Sequence, residues 1–584
     1  MRKKMTKRLL AVILTAALTM GMLQGCGRKL IEDQAVYPAE TAKSTEEAYT
    51  EGYAEAEAYA DIEMPAEEEA ENVKAEAAAE ETNREAMTER DNAKGSYAES
   101  CYDYEWRENT EEYSKWEERG FRSVLKEPLS TFSADVDTAS YSNLRRLLTE
   151  GYSLEELPRG AVRIEELLNY FSYDYEEPKG QEPFGVTTKL GECPWNEEAK
   201  LLMIGLKTED IDYSQAPPSN LVFLLDVSGS MSHADKLPLL QESFGLLAEN
   251  LTEKDRISIV TYAGDDEVVL RGAAGNETRK IKRAINRLKA GGGTNGSKGI
   301  ETAYEIAEEN FIKGGNNRII LATDGDLNIG LTTEEELEEL ITEKKESGIY
   351  LSVLGFGAGN LKDNKMEVLA DKGNGNYAYI DSLREARKVL VEEMTATLLT
   401  ICKDVKLQVE FNPSVVSDYR LIGYENRALN REDFEDDTKD AGEIGAGHSV
   451  TVLYELILKE PITDLSEEEI KGLKYEKNYK KELKEAGESS VALYEEWLTL
   501  SIRYKKPAED SSNLLRYPVS YEDYQSSPDD DFVFAAAVAE FGLLASDSAY
   551  AGDASLKHVR SALKGIILDD EYKEEFYDLV KMAE

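Results

Sequence analysis

Residues 221–231 read LVFLLDVSGSM, and this stretch decides the fold. Five consecutive apolar residues, with no polar alternation, are the pattern of a strand buried on both faces of a parallel sheet. The run ends directly in Asp226, and Ser228 and Ser230 follow on a tight turn that Gly229 is expected to permit. Working outward, a helix is expected from about Lys236 to Asn250, then a strand RISIVTYA (256–263) and an edge strand EVVLR (267–271). A helix over Thr278–Lys289 leads into the glycine-rich GGGTNG (291–296), which presents Thr294. A helix running through Phe311, the buried strand RIILAT (318–323) and the turn carrying Asp324 come next. A helix at about 333–347, the strands IYLSVLGFG and NYAYI, and a long helix ending near Leu399 complete the series. Strand and helix in alternation predict an α/β domain over 219–400, a doubly wound parallel sheet with helices on both faces.

In such sheets ligands bind at the carboxyl ends of the strands. Asp226, Ser228, Ser230, Thr294 and Asp324 all stand at such ends or on the adjoining loops. Three hydroxyls and two carboxylates are all-oxygen donors and suit a hard cation, which completes its shell with water. The elements DVSGSM, GGGTNG and ATDGD, in this order, resemble the metal-ion-dependent adhesion site of von Willebrand factor type A (VWA) domains. The resemblance implies that all five residues hold Mg2+ or Mn2+, the hydroxyls directly and the carboxylates directly or through water. It also implies that a protein ligand brings an Asp or Glu carboxylate to the open position. Two carboxylates against a divalent ion leave the site near neutral. Asp326 reads as a solvated neighbour and His233 as a surface histidine.

On either side of this domain the apolar pattern alternates with period two. Strands at 185–210 and at 404–506 are expected to form one β-sandwich, with the α/β domain inserted into it. The boundaries read 128–218 for an N-terminal helical and β segment, 401–510 for the strands completing the sandwich, and 511–584 for C-terminal helices. Within the first segment, STFSADVD reads as a turn in which Asp135 and Asp137 cap the following helix. The segments PLSTFSADVDTASYSNLRRLL, VRIEELLNYFSYDYEEP and AVAEFGLLASDSAYAGDASL are similar to those flanking VWA domains in a group of bacterial lipoproteins.

The first residues look processed. Lys3, Lys4, Lys7 and Arg8 precede a short apolar run, Leu9–Met22, which is too short for a spanning helix of ~20 residues. It closes on Leu23-Gln24-Gly25-Cys26, which resembles the bacterial lipobox. The resemblance implies a signal peptide over 1–25, lipid on the Cys26 sulfur, and a chain anchored to the bacterial cell membrane and facing outside the cytoplasm. More than one acyl chain gives lasting attachment. Residues 26–120 then read as an acidic stalk. From 27 to 120 there are 28 acidic and 10 basic side chains, with stretches such as AEEEAENVKAEAAAEETNREA and few large apolar residues. A flexible segment of ~90 residues spans about 50 Å.

Over the whole chain of 584 residues the formal net charge is −48, which argues against nucleic acid and against anionic lipid surfaces as partners. Beyond Cys26 there remain Cys101, Cys193 and Cys402; Cys193 and Cys402 would meet only if the two flanks pack together, and otherwise all three are reduced.

Catalysis fits poorly. An aspartate-nucleophile phosphatase needs a second carboxylate where Ser228 stands, and the three histidines, His233, His448 and His558, have no triad context. GGGTNG lacks the Lys-Ser/Thr ending of a phosphate-binding loop. Two binding roles remain open: a scaffold or adhesin that captures an acidic side chain, and an assembly or regulatory factor that docks on envelope proteins of its own cell.

Overall fold

The computed structural model describes residues 109–134, 137–212, 216–263, 266–292, 299–325, 334–459, 496–507, 509 and 511–584. The lipobox with Cys26, most of the acidic segment, Cys101, Asp135, Thr294 and Asp326 lie outside the described residues.

The chain enters through strands β1 (Arg122–Ser123) and β2 (Leu129–Ser133), helices α1 (Ala139–Thr149) and α2 (Ile164–Asn169), and strands β3 (Phe184–Glu192) and β4 (Ala199–Thr208). The α/β domain follows. Its strands are β5 (Ser219–Asp226), β6 (Arg256–Tyr262), β7 (Asp266–Ala274), β8 (Asn316–Thr323), β9 (Tyr350–Phe356) and β10 (Tyr377–Ile380). They lie in the order β10-β9-β8-β5-β6-β7, parallel except for β7, which closes the edge antiparallel to β6. All eight residues of β5 are buried, as an uninterrupted apolar run requires when helices cover both faces. Those helices are α3 (Leu237–Asn250), α4 (Thr278–Asn286), α5 (Gly299–Glu309), α6 (Glu334–Glu346) and α7 (Asp363–Lys372). The last helical stretch, Leu383 to Leu398, is less regular than its apolar pattern predicts. It runs as α8 (Leu383–Arg387), a π-helical turn (Lys388–Glu392) and α9 (Met394–Leu398).

The flanks do form the expected sandwich around the inserted domain. One sheet orders β1, β12 (Val416–Ile422), β14 (Ser449–Leu458), β4 and β3. The other orders β13 (Gly442–Gly445), β11 (Thr400–Phe411), β15 (Leu498–Lys505) and β16 (Asn513–Val519), with β2 also on β11. Leu202, Ile204, Val452 and Tyr454 of the first sheet meet Leu407, Val409, Leu500 and Ile502 of the second in one buried core. The first sheet's other face, with Leu201, Met203 and Leu453, packs on α1, α2 and the C-terminal helices α10 (Asp530–Ala545), α11 (Leu556–Lys564) and α12 (Glu571–Ala583). Helix α10 is apolar on every side and accordingly sits at the centre of that layer, with Phe534, Val538 and Phe541 buried.

Four expectations need correction. LSTFS is strand β2 rather than a turn, because its backbone pairs with β11 over Leu129–Ser133. The sandwich extends past 510 through β16. Asp137 does not cap α1: Thr138 holds that position, while the Asp137 carboxylate is buried and accepts from Tyr377 N at 2.8 Å and from Arg427 at 3.0 Å. The folded body also begins before residue 120. Thr110 N and Glu112 N donate to Gly359 O and Leu361 O, both at 2.9 Å, and Glu111 pairs with Arg146 at 3.0 Å. Cys193 and Cys402 are separate free thiols, one in the helix-facing core and the other between the sheets.

Buried ions join the inserted domain to its flanks. Arg145 of α1 bonds Asp381 and Glu385 of the α/β domain, each at 2.7 Å, and Glu575 of α12 at 2.8 Å. Arg163 bonds Glu166 and, at 2.6 Å, Asp363 of α7. The side chains of Arg163, Glu166 and Asp363 are each 2 % exposed or less.

Candidate metal centre

Strands β5 and β8 are neighbours in register, Leu225 opposite Ala322, so the residues that follow them share one end of the sheet. That end carries Asp226 and Asp324, both fully buried. The chain leaves β5 through a turn that closes as a 3-10 helix over Gly229–Ser232. One Asp226 oxygen accepts from Ser228 N at 2.8 Å and the other from the Thr323 hydroxyl at 3.1 Å. The Ser228 and Ser230 hydroxyls stand 2.9 Å apart. The glycine-rich loop is drawn alongside by Gly291 N, which donates to Val227 O at 2.9 Å. Thr294, three residues further, lies outside the described residues.

The role expected of Gly229 is not the observed one. Its backbone is not left-handed, and a Cβ there would meet Gly292 O at an ordinary 3.6 Å. The glycine that the turns do require is Gly325, with φ +115° and only 2.4 Å between a built Cβ and Asn360 O. It turns the chain immediately after Asp324.

Burial pushes the Asp226 carboxyl up to about 6; the charge of Asp324 adds to the rise, while the bonds from Ser228 and Thr323 oppose it. Asp324 is divided. Its Oδ2 receives the Lys236 ammonium at 2.8 Å, and its Oδ1 is buried with no hydrogen-bond partner among the described residues. Sequence reasoning missed Lys236, which is 1 % exposed and also donates to Asn360 Oδ1 at 2.7 Å. Nothing in the motif marks it, since a lysine just ahead of a helix reads as solvated. His233, by contrast, is exposed as expected.

The donors fit a hard cation. A buried carboxylate oxygen without a partner costs roughly 1–3 kcal/mol, a cost that a bound cation would remove. Among the described residues no three His, Cys, Asp or Glu side chains converge. Two carboxylates with hydroxyls suit an ion that keeps water in its shell.

The chain is similar to known proteins over nearly all of its folded part. The family model described as von Willebrand factor type A domain matches residues 220–393. One described as von Willebrand factor matches 107–203, and one described as "Uncharacterized protein YfbK, C-terminal" matches 396–584. Human inter-alpha-trypsin inhibitor heavy chain H3 is 25 % identical over 343 residues, which span 53 % of this chain and 38 % of that one. Of solved structures, a von Willebrand factor type A protein from Catenulispora acidiphila is 14 % identical with a TM-score of 0.38, covering 70 % of this chain and 92 % of that one. YfbK of Escherichia coli (strain K12) is 40 % identical over 484 residues, 81 % of each chain. That extent of identity, through the inserted domain and both flanks, places the chain in the YfbK family of VWA-domain proteins.

Proposed function

We propose that this protein is a membrane-anchored, extracytoplasmic binding protein that grips an acidic side chain of a protein partner through a divalent cation. Asp226, Ser228, Ser230, Thr294 and Asp324 would hold Mg2+ or Mn2+, and Cys26 would carry the lipid. The observation that carries this reading is the buried Asp324 Oδ1, without a hydrogen-bond partner among the described residues, just past the strand that neighbours the one ending in Asp226. When bound, the cation supplies an open position that attracts a carboxylate. The chain's own residues orient the donors and keep the floor of the site dry. Binding rather than catalysis is the reading that the surroundings of the donors support. Asp226 has Ser228 two residues on where a phosphatase needs an acid, and His233 is exposed.

The test is thermal unfolding of the full chain in EDTA and then in millimolar magnesium or manganese, beside Asp226→Ala. A ligand that binds only the native state raises its melting point. The reading expects a metal-dependent rise that the variant lacks. No rise, together with silent titration calorimetry at millimolar metal, sinks it. Docking on envelope proteins of the same cell uses the same site, and co-purification with such proteins in magnesium buffer distinguishes it from capture of a foreign surface.

A further inference from the structure

Lys236 is built into the site as firmly as the carboxylates. Its ammonium has a paired acceptor on each of two loops, Asp324 Oδ2 at 2.8 Å and Asn360 Oδ1 at 2.7 Å. Its stem fills a slot left by Gly357, where φ is +74° and a Cβ would come within 2.3–2.8 Å of three of the lysine's carbons. A buried lysine ammonium is costly unless paired, and here the pair involves one of the two carboxylates that the proposed cation needs.

We infer that Lys236 is a resident counter-charge that sets how the site divides its affinity between cation and ligand. The inference rests on the metal-binding reading above. Asp226, Asp324 and Lys236 together carry one net negative charge, so a divalent cation takes the site to one net positive charge rather than to neutrality. The cation alone is therefore held more weakly than two carboxylates would hold it. A ligand carboxylate then completes the neutralisation, so that cation and acidic ligand strengthen each other by the same factor. By fastening one oxygen of Asp324, the ammonium also reserves the other for the incoming ion.

The full chain is titrated with manganese by calorimetry and by the loss of the free-ion paramagnetic resonance signal. Lys236→Gln and Lys236→Met remove the charge, and Asn360→Asp cancels it in place without touching the buried pair, which covers the case where neither lysine variant folds. Each variant that is folded by circular dichroism is expected to bind manganese on the order of tenfold tighter than the parent. A lysine that merely fills space would give unchanged or weaker binding. Unchanged or weaker binding in the folded variants overturns the inference and leaves the adhesion reading standing. No manganese binding by the parent or by any variant overturns both.

Discussion

The proposed metal end of the α/β domain and the seam where the same domain meets its flanks both bury charged side chains, but they treat them differently. At the seam Arg163 and Arg145 are surrounded by acids: Arg163 by Glu166 and Asp363, Arg145 by Asp381, Glu385 and Glu575. At the other end, only one of two buried carboxylates, Asp324, is paired with an ammonium, and its second oxygen keeps no partner among the described residues. Paired charges at the seam fix how the inserted domain is held, since a misplaced neighbour would strand a charge. The set at the proposed metal end leaves one carboxylate oxygen without a partner among the described residues. Burial alone therefore does not distinguish a binding site from cement; the balance of partners does.

The largest expected effect tests the seam. Arg163→Met strands Glu166 and Asp363 in a dry interface and should cost ~3–5 kcal/mol in denaturant unfolding. A loss below about 0.5 kcal/mol, the scale of an ordinary surface change, would break the contrast. At the metal end the sign reverses. Asp226→Asn removes a carboxylate whose folded pKa is raised to about 6, so in EDTA at pH 7 it should stabilise the protein by about 1–3 kcal/mol. The pH dependence follows from the same shift. A raised carboxyl pKa favours the fold below the unfolded value near 4, and this advantage is lost as pH rises through 6. The gain of the variant over the parent should accordingly open between those values, and a gain that is flat with pH would refute the assignment. The smallest effect sharpens the picture within the site. Gly325→Ala should cost ~1–3 kcal/mol because its backbone is left-handed and crowded, whereas Gly229→Ala should stay within about 0.5 kcal/mol.

Much of this was legible in the sequence because it rests on runs of apolar residues and on what terminates them. LVFLL and RIILAT announce strands buried on both faces, and Asp226 and Asp324 follow them as the register of β5 and β8 requires. The sandwich was legible as a set of strands, but the expected period-two alternation holds only in part of β15; β4 and β14 are buried almost end to end, because helices cover the second face of their sheet. What escaped was set by partners distant in sequence. Strand β2 is a strand only because β11 lies beside it. Residues 109–112 have the composition of the acidic segment before them, yet they bond to the loop after β9. Asp137 stands one residue before the helix cap, and Arg427, a half-buried arginine 290 positions away, bonds it instead. Lys236 is in the same class: its role depends on Asp324, Asn360 and the missing side chain of Gly357, none of which is near it in the chain.

The short bridge at residues 110–112 has a mechanical meaning. Thr110 and Glu112 grip Gly359 and Leu361, the residues on either side of Asn360, which in turn holds the Lys236 ammonium. Tension entering the body from its N-terminal side would reach this joint, which Lys362 reinforces by bonding Thr110 O and Glu112, before any sheet, and unzipping it would release the loop that steadies Asn360. Under the proposed anchoring and ligand binding, the load would thus be felt first beside Lys236.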